Sequence, residues 1–394
     1  MFRHLFTLIW NKKRQNALLI SEMLVSFLVM FAVFTLAVYS YRNYKKPMGM
    51  NYENVWAVNF NNPLNGGNTD SLGRFYETLR GTLRSLPLVR DVSFSGDNLP
   101  FYNNTWQGGV SYNGKETHQV NTYFVSDAYA AVLQMQVLEG RWFTRDDAVA
   151  KNQAVVINRS LKEKLFGTGE AIGQLLGKDE DKNKRKIIGV VEDVKVKGDY
   201  AVAGLGIYYR MDTAGLHSLG RILIRVAPDA DASFEGRLYQ TLANSMKNAN
   251  IEIEHLANKR TTINYYALVP MIVLLIVASF LIINVALGLF GVLWYNINKR
   301  KGEIGLRRAV GASGNSVAAQ LVGESLITAT FSLCIGVFFA VQFPLLHVFD
   351  LPAGVYITAI LLSVLFLYGL VLICSLYPGR QAAAIYPAVA LHED

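Results

Sequence analysis

Four long stretches of the chain contain no charged residue, and this feature limits the possible folds more than any other. They cover residues 23–41, 267–295, 326–346 and 351–378. Each can cross a hydrocarbon core of about 30 Å as a helix that rises about 1.5 Å per residue. A helix in a soluble protein needs a polar face, and these stretches have none. With 52% hydrophobic and only 17% charged residues, the chain is predicted to be a membrane protein with four transmembrane helices.

The first apolar stretch follows a basic leader, as the apolar stretch of a cleaved signal peptide would. It is longer than the roughly 7–15 apolar residues of a signal peptide, and no small-x-small cleavage site follows it. We therefore predict a retained helix over residues 17–41, preceded by a cytoplasmic amphipathic leader over residues 1–16. The other transmembrane helices are predicted at about residues 267–295, 325–346 and 353–377.

Basic residues near the ends of the spans predict the orientation, because Lys and Arg are retained on the cytoplasmic side. The leader carries four basic residues and no acid, and residues 298–316 carry five basic residues and the single acid Glu303. Both segments are therefore placed in the cytoplasm. The connection over residues 347–350 has no Lys or Arg, as expected on the outer face. This orientation puts both termini inside the cell and residues 42–266 outside the membrane.

Residues 42–266 are predicted to form a large α/β extracytoplasmic domain inserted between helices 1 and 2. We expect its two ends to form one subdomain, from which residues of about 101–197 project. Each end shows a strand, a helix and a strand, over residues 54–60, 70–86 and 89–94 and over residues 221–226, 232–248 and 251–255. A hairpin is predicted at Asn113-Gly114, because this dipeptide suits a type I′ turn.

Candidate catalytic and binding motifs are few, and none of them supports an enzyme. Residues 109–116 differ from a phosphate-binding loop at the last position, where Glu116 replaces Ser or Thr and would repel a phosphate. A hairpin loop explains this segment better. The six histidines are scattered without metal-ligand spacing, and the acids at residues 179–181 alternate with basic residues, which is typical of a solvated loop. We therefore expect no catalytic residue, no metal site and no cofactor bound to this chain.

The net charge of +8 does not indicate nucleic-acid binding, because residues 42–266 hold 28 basic against 24 acidic residues. The two cysteines lie inside predicted membrane helices, so the outer domain has no disulfide. Polar residues within a membrane are functional candidates. Glu22 and Glu324 lie at helix borders, where an ordinary surface position is favoured over a role in an ion pathway. Asn284, in the middle of the second helix, is expected to hydrogen-bond a neighbouring helix.

The cytoplasmic connection after the second helix carries the most specific motif. Residues 301–312 are predicted to form a short amphipathic helix. Glu303 and Arg307 are spaced i,i+4 in the favourable order. Leu306 and Val310 share an apolar face, and the glycine that follows Val310 would end the helix. On these grounds alone, such a helix could simply lie on the inner surface of the membrane.

The same segment closely resembles the Glu-Ile-Gly-x-Arg-Arg/Lys-Ala-x-Gly-Ala signature of the MacB/FtsX-like ABC transporter permease family. In that family this loop is the coupling helix that docks on the ATPase. The resemblance therefore assigns a coupling role to Glu303, Ile304, Gly305, Leu306, Arg307, Arg308, Val310 and Gly311. Residues 140–143, 154–173 and 187–194 look like the family's periplasmic core domain, and residues 377–391 look like its C-terminal signature.

The resemblance implies a stand-alone permease subunit of the mechanotransmission type. Its MacB-like core domain would cover residues 42–266, and its FtsX-like permease domain would cover residues 267–394. A separate cytoplasmic ABC ATPase dimer would bind ATP and Mg²⁺, and its movement would be relayed to the periplasmic domain for efflux or extraction of a substrate. No fused nucleotide-binding domain is expected, unlike in the macrolide-exporter branch of the family.

The implied location is the inner membrane of a bacterium. The implied partners, besides the ATPase, are a second copy of the chain or a similar permease, and a periplasmic adaptor or outer-membrane protein. A regulatory or signalling scaffold is the alternative function, in which the movement controls a cell-wall hydrolase or reports a peptide without transporting it. The sequence leaves both functions open, because both would use the same coupling helix.

Overall fold

The computed structural model describes residues 13–61, 69–96, 98–178, 184–211 and 219–384. The chain divides into two units. The helical unit consists of Met1–Arg42 and Leu268–Asp394, and the sheet unit is Asn43–Ala267. Three predicted features fall outside the described residues, namely most of the leader, the acidic loop at residues 179–181, and residues 385–391 of the C-terminal signature.

The described helices and strands are numbered here in chain order. The helices are α1 (Lys13–Tyr44), α2 (Thr69–Arg84), α3 (Tyr129–Leu133), α4 (Arg159–Phe166), α5 (Ala232–Ser245), α6 (Leu256–Lys299), α7 (Lys301–Ala309), α8 (Gly314–Leu345) and α9 (Ala353–Ala383). The strands are β1 (Val55–Phe60), β2 (Val89–Ser95), β3 (Gln107–Tyr112), β4 (Lys115–Val125), β5 (Val137–Gly140), β6 (Ala154–Asn158), β7 (Leu175–Leu176), β8 (Arg185–Val191), β9 (Gly206–Arg210), β10 (Arg221–Val226) and β11 (Ile251–His255). Short 3₁₀ helices cover Arg145–Val149 and Val348–Asp350.

Among the described residues, four helices are long and apolar enough to cross a membrane: α1, α6, α8 and α9. The prediction of four spanning helices is therefore confirmed. All four are longer than their uncharged stretches. α6 already begins at Leu256 and α8 at Gly314, because their first turns are polar and so lack the apolar signature used to predict a span. Ser313 caps α8, and its hydroxyl accepts a hydrogen bond from the Ser316 backbone N at 3.2 Å.

The membrane helices pack around a shared apolar cluster that includes the fully buried Met23 and Phe27 of α1. Gly336 of α8 permits this contact, because a Cβ atom there would lie 2.4 Å from Phe27 Cδ1. Asn284 does not behave as predicted. Its Nδ2 donates to the Phe280 carbonyl of its own helix at 2.8 Å. The expected bond to a neighbouring helix is wrong, because Asn284 lies on an exposed face of α6.

The first lobe of the sheet unit contains β11, β1, β10 and β2 in that order, each antiparallel to its neighbour. The two predicted strand–helix–strand units, β1-α2-β2 and β10-α5-β11, interleave here, as in split βαβ sandwiches. They form one subdomain, as predicted. α2 and α5 cover one face of this lobe, where Leu79 and Leu238 are buried against Trp56 and Ile222.

The second lobe extends the same sheet through β4, β9, β6, β8 and β5, with β3 paired to β4 and β7 paired to β8. It meets the first lobe at one paired position, Ser95 opposite Val125. The prediction ended this part near residue 197, but β9 also belongs to it because β9 pairs with β4 and β6. Asn113 and Gly114 join β3 to β4 with φ angles of 47° and 74°. The predicted type I′ hairpin is confirmed, and residues 109–116 therefore do not form a phosphate-binding loop.

Candidate functional site

The segment with the most specific motif forms a separate short helix between two membrane helices. α6 ends at Lys299, and Arg300 interrupts the helix with φ −106° and ψ 16°. α7 then runs over Lys301–Ala309. The chain reverses after it at Gly311, whose φ of 106° lies in the left-handed region that favours glycine. The predicted helix over residues 301–312 is present, but it ends at Ala309, three residues before the predicted end.

One side of α7 is anchored to the membrane helices. Ile304 is only 6% exposed and packs in a cluster with Ile297 of α6, Val317 and Leu321 of α8, and Ala382 of α9. Gly305 is also buried. Side chains of three long helices therefore hold Ile304 in place.

Polar contacts fix the orientation of α7 on the same side. Arg307 donates to Glu303 Oε1 at 2.6 Å and to Gln320 Oε1 of α8 at 2.9 Å. Arg308 donates to the Ala383 carbonyl at 2.5 Å, at the C-terminal end of α9, where a cation complements the helix dipole. α7 is thus tied to α8 and α9 by side-chain hydrogen bonds as well as by Ile304.

The opposite side of α7 presents two apolar side chains to solvent. Leu306 is 56% exposed, and Val310, just after the helix, is 82% exposed. Exposed single apolar residues are common on proteins. These two are unusual because they stand on a helix that is fixed in place by charged and apolar contacts on its other side.

The eight residues singled out from the motif therefore divide into two groups. Ile304 and Gly305 are buried, and Arg307 and Arg308 contact α8 and α9, so these four hold the helix in place. The side chains of Glu303, Leu306 and Val310 remain open to solvent, and Gly311 makes the turn.

The motif did not point to the residues that support α7 from neighbouring helices. Arg300 forms an ion pair with Glu324 of α8 at 3.2 Å, and Gln320 donates to the same carboxylate at 3.2 Å. Glu324 thus has local partners, but it lies inside α8, which begins at Gly314, and not at a helix border as predicted. The i,i+4 spacing of Gln320 and Glu324 was the one feature of the sequence that could have indicated this contact.

The structure also shows the surroundings of Glu22 and of the candidate metal-binding residues. The Glu22 carboxylate lies against the backbone of α6, because a Cβ atom at Gly288 would be 2.6 Å from Glu22 Oε2. Within the residues that the structure describes, no three His, Cys, Asp or Glu side chains form a metal-binding group. The His255 Nε2 atom lies 2.9 Å from Glu235 Oε2, and the imidazole stacks on the Trp56 ring at 4.7 Å between centroids. Both contacts give His255 a structural role.

A second cluster, in the sheet unit, has no signal in the sequence. Asp199 accepts two hydrogen bonds from Arg260 at 2.9 and 2.5 Å and one from Asn264 at 2.8 Å. Arg260 and Asn264 belong to the first turns of α6. The Asp199 side chain is only 8% exposed, and hydrogen bonding to it raises the pKa of Arg260 above its ordinary value.

The same cluster also contacts the end of α1. Lys195 is buried, and its Nζ donates to the carbonyls of Asn43 at 2.5 Å and Asp199 at 3.1 Å. Burial lowers the pKa of Lys195. Gly198, at φ 90°, fits closely against Asn264. We name this cluster of Lys195, Asp199, Arg260 and Asn264 the latch. It ties Asn43 and the first turns of α6 to one loop, all within the sheet unit.

Two protein families match the chain. A MacB-like periplasmic core domain matches residues 18–238, and an FtsX-like permease C-terminal domain matches residues 272–387. The second match contains α7 and its anchoring residues on α8 and α9.

Curated relatives match over different shares of their length. The macrolide export ATP-binding/permease protein MacB 1/2 of Paracoccus denitrificans is 27% identical over 227 residues, which are 56% of this chain and 34% of that protein. MacB of Aggregatibacter actinomycetemcomitans is 25% identical over 57% of this chain and 35% of that protein. The chain thus spans about a third of the length of these two relatives. The uncharacterized ABC transporter permease YvrN of Bacillus subtilis is 21% identical over 81% of this chain and 79% of that protein.

Among solved structures, the periplasmic region of MacB from Actinobacillus actinomycetemcomitans aligns with 57% of this chain and 98% of that chain. The sequence identity is 19% and the TM-score is 0.39. The extracellular domain of the noncanonic ABC-type transporter YknZ from Gram-positive bacteria aligns with 50% of this chain, at 16% identity and a TM-score of 0.34.

Proposed function

This chain belongs to the family with a MacB-like periplasmic core domain, and on that premise we propose that it is the membrane subunit of a mechanotransmission ABC transporter. A separate cytoplasmic ABC ATPase dimer binds ATP and Mg²⁺, and its opening and closing move α7. The membrane helices pass this movement to the sheet unit, which drives export or extraction of a substrate outside the membrane. The chain itself carries out no catalytic step, so ATP hydrolysis belongs to the partner.

The observation that carries this proposal is the two-sided arrangement of α7. Its inner side is held by Ile304 and by the contacts of Arg307 and Arg308, whereas Leu306 and Val310 stay exposed on the other side. A helix that merely rests on the membrane needs no such anchoring to three long helices. A docking helix needs both features, since it must bind a partner and transmit the partner's movement.

The apolar pair should supply most of the affinity for the ATPase. Burying Leu306 and Val310 in a groove of the partner contributes about 1.5–3 kcal/mol each. Exposed ion pairs contribute about 0–1 kcal/mol. Arg307 and Arg308 contact α8 and α9, whereas Glu303 pairs with Arg307 of its own helix. We therefore assign the two arginines to the position of α7 and assign polar contacts at the rim of the groove mainly to Glu303.

The latch is where movement would enter the sheet unit. α6 is one helix from Leu256 to Lys299, and it contains Arg260 and Asn264 near its start and leads directly to α7 at its end. A displacement of α7 therefore reaches Asp199 along a single helix. Because Lys195 holds the end of α1 to the same loop, both helices that enter the sheet unit act on one segment of it.

In this proposal the two termini and α7 lie in the cytoplasm of a bacterium, and the sheet unit lies on the outer side of the inner membrane. The ATPase is a dimer, so a second copy of this chain or a similar permease completes the assembly. A periplasmic adaptor or an outer-membrane protein would receive the movement of the sheet unit.

Co-purification of the ATPase with permease variants tests the proposal. Val310→Asp and Leu306→Asp each place a charge in the proposed groove and should abolish binding of the ATPase. Loss of about 1.5–3 kcal/mol from one apolar contact alone weakens binding by roughly ten- to hundredfold, and the buried charge adds to this.

The matched control is Val149→Asp. Val149 is 88% exposed, as Val310 is 82% exposed, but it lies in the sheet unit. The control should bind the ATPase like the parent protein. If Val310→Asp and Leu306→Asp also inserted normally and bound the ATPase like the parent, α7 would not be the docking helix.

A further inference from the structure

A cavity of about 230 Å³ lies in the sheet unit, and its lining residues include none of those assigned to α7 or to the latch. Its walls come from both lobes. Tyr76 and Arg80 of α2 and Phe94 of β2 belong to the first lobe. In the second lobe, Asp127 follows β4 and Arg210 is the last residue of β9. The lobes share one paired position of the sheet at this junction, Ser95 opposite Val125. Ligand sites occur preferentially at such junctions.

Two hydrogen-bond donors on the α2 wall have no acceptor in the part of the chain that the structure describes. The Tyr76 hydroxyl is fully buried, its residue is only 3% exposed, and no hydrogen-bond partner for it exists within the residues that the structure describes. The same is true of Arg80 Nε. Burial raises the pKa of Tyr76 to about 12, so its hydroxyl stays protonated and remains a donor at physiological pH. A buried donor left without an acceptor is costly and uncommon in folded proteins.

The geometry places these two donors side by side. Tyr76 and Arg80 are one helical turn apart, and both pack on Phe94. The ring centroids of Tyr76 and Phe94 are 5.1 Å apart, and the Arg80 guanidinium carbon is 5.4 Å from the Phe94 ring centroid. A single small acceptor group can therefore be reached by both side chains.

The polar groups on the opposite wall are already used. Arg210 donates to both oxygens of Asp127, at 2.8 and 3.0 Å. The Ser126 hydroxyl is 2.9 Å from the Ser93 hydroxyl and accepts from the Phe94 backbone N at 3.1 Å. The two donors without partners therefore lie on the α2 wall, and Arg80 gives this wall a positive charge.

The neighbour of Arg80 on the rim indicates which acceptor fits. Glu77 approaches Arg80 with 3.7 Å between Nη1 and Oε1, and its side chain is 65% exposed. A carboxylate oxygen can thus come close to this guanidinium, but Glu77 does so from the rim and leaves Nε without an acceptor. The planar guanidinium of Arg suits a carboxylate that binds two of its N–H groups.

We propose that this cavity binds the carboxylate of a small organic acid or of a peptide C-terminus, held by the Arg80 guanidinium and the Tyr76 hydroxyl. Phe94 contacts the apolar part of the ligand. The cavity is smaller than the roughly 300–1,000 Å³ of sites for drug-sized molecules, so only a small acid or the end of a longer chain fits. This site is independent of the ATPase-docking function proposed above, and its test uses no ATPase.

Calorimetric titration of the full-length protein in detergent tests the site, with N-acetyl-leucine as the carboxylate probe. Its uncharged analogue N-acetyl-leucinamide should bind at least tenfold more weakly. Tyr76→Phe should weaken binding of the acid roughly tenfold, because a hydrogen bond to a charged group is lost, and Arg80→Gln should weaken it more. Arg84→Gln is the matched control on α2. Arg84 pairs with Asp91 and does not line the cavity, so this variant should bind like the parent.

Tyr76→Phe should also keep or raise the melting temperature of the unliganded protein, because it removes an unpaired buried hydroxyl while keeping the ring. N-acetyl-leucine should raise the melting temperature of the parent and not that of Arg80→Gln. N-acetyl-Ala-Ala-Leu distinguishes the two sources of the carboxylate. Tighter binding of this peptide supports a peptide C-terminus, and binding of the amino-acid derivative alone supports a free acid. Absence of saturable binding by both probes, or equal binding by parent, Tyr76→Phe and Arg80→Gln, would overturn the proposal and leave a cavity that holds only water.

Discussion

Replacing Arg260 with Ala should destabilise the sheet unit by about 2–3 kcal/mol. Arg260 donates two hydrogen bonds to Asp199, whose side chain is 8% exposed. Removing one partner of a buried ion pair costs about 3–5 kcal/mol, and hydrogen bonds to charged groups contribute about 1.5–3 kcal/mol. The expected cost lies below that of a fully buried ion pair because the Arg260 side chain is 31% exposed and because Asn264 still donates to Asp199 in the variant.

Thermal unfolding of the full-length protein in detergent, followed by tryptophan fluorescence, measures this effect. Trp56, Trp106 and Trp142 all lie in the sheet unit. For a domain of about 150–250 residues, 1 kcal/mol corresponds to a shift of roughly 2–4 °C, so Arg260→Ala should lower the melting temperature by about 4–12 °C. The control is Arg84→Ala, which removes an ion pair with Asp91 that is more exposed than that of Arg260 with Asp199 and should cost about 0–1 kcal/mol.

A double-mutant cycle then separates the ion pair from other effects of the substitution. If Arg260 acts through Asp199, adding Asp199→Ala to Arg260→Ala should cost at least about 1 kcal/mol less than the sum of the single changes. The reasoning would be refuted by additive effects, or by a melting temperature for Arg260→Ala no lower than that of Arg84→Ala.

Two further predictions concern the pH dependence of stability and the topology. Hydrogen bonds from Arg141 lower the pKa of Asp147 from 3.8 to about 2, so its stabilising effect is fully present above about pH 4 and is lost as the pH falls through about 2. The difference in unfolding free energy between the parent and Asp147→Asn, measured with urea, should therefore shrink by about 2 kcal/mol between about pH 4 and pH 2, and a constant difference would contradict this. A reporter fused after Lys115 should be active only outside the cytoplasm and one fused after Gly302 only inside, whereas the opposite pattern at either position would exclude the proposed orientation.

The sequence predicted those parts of the fold that have a local signal. Uncharged stretches reveal membrane helices because no other common environment accepts them, and Asn113-Gly114 reveals a hairpin because few dipeptides adopt its φ angles. The early start of α6 had no such signal, since Lys259 and Arg260 interrupt the apolar pattern. The order of eleven strands in the described sheet depends on pairings between distant segments, which periodicity cannot reveal.

The same division applies to the candidate site. The motif predicted α7 and its two apolar residues, but it did not reveal which of the eight residues face inward. Arg308 reaches the Ala383 carbonyl 75 positions away, and Asp199 meets Arg260 across 61 positions. Such contacts follow from packing of the whole unit. Asn284 was predicted wrongly because a polar side chain in a membrane helix can also donate a hydrogen bond to a backbone carbonyl of its own helix.

The rate of ATP hydrolysis by the partner ATPase, reconstituted in membranes with parent permease or with Arg260→Ala, tests most directly whether α7 and the sheet unit are mechanically coupled. The measurement is made below the melting temperature of the variant. Because Arg260 lies in the sheet unit and α7 is unchanged, we expect the ATPase to bind both permeases equally. Because a conformational step can limit turnover, loosening the latch should change the stimulated hydrolysis rate severalfold if each ATPase cycle moves the sheet unit. Equal binding with an unchanged rate would contradict transmission through α6 and the latch.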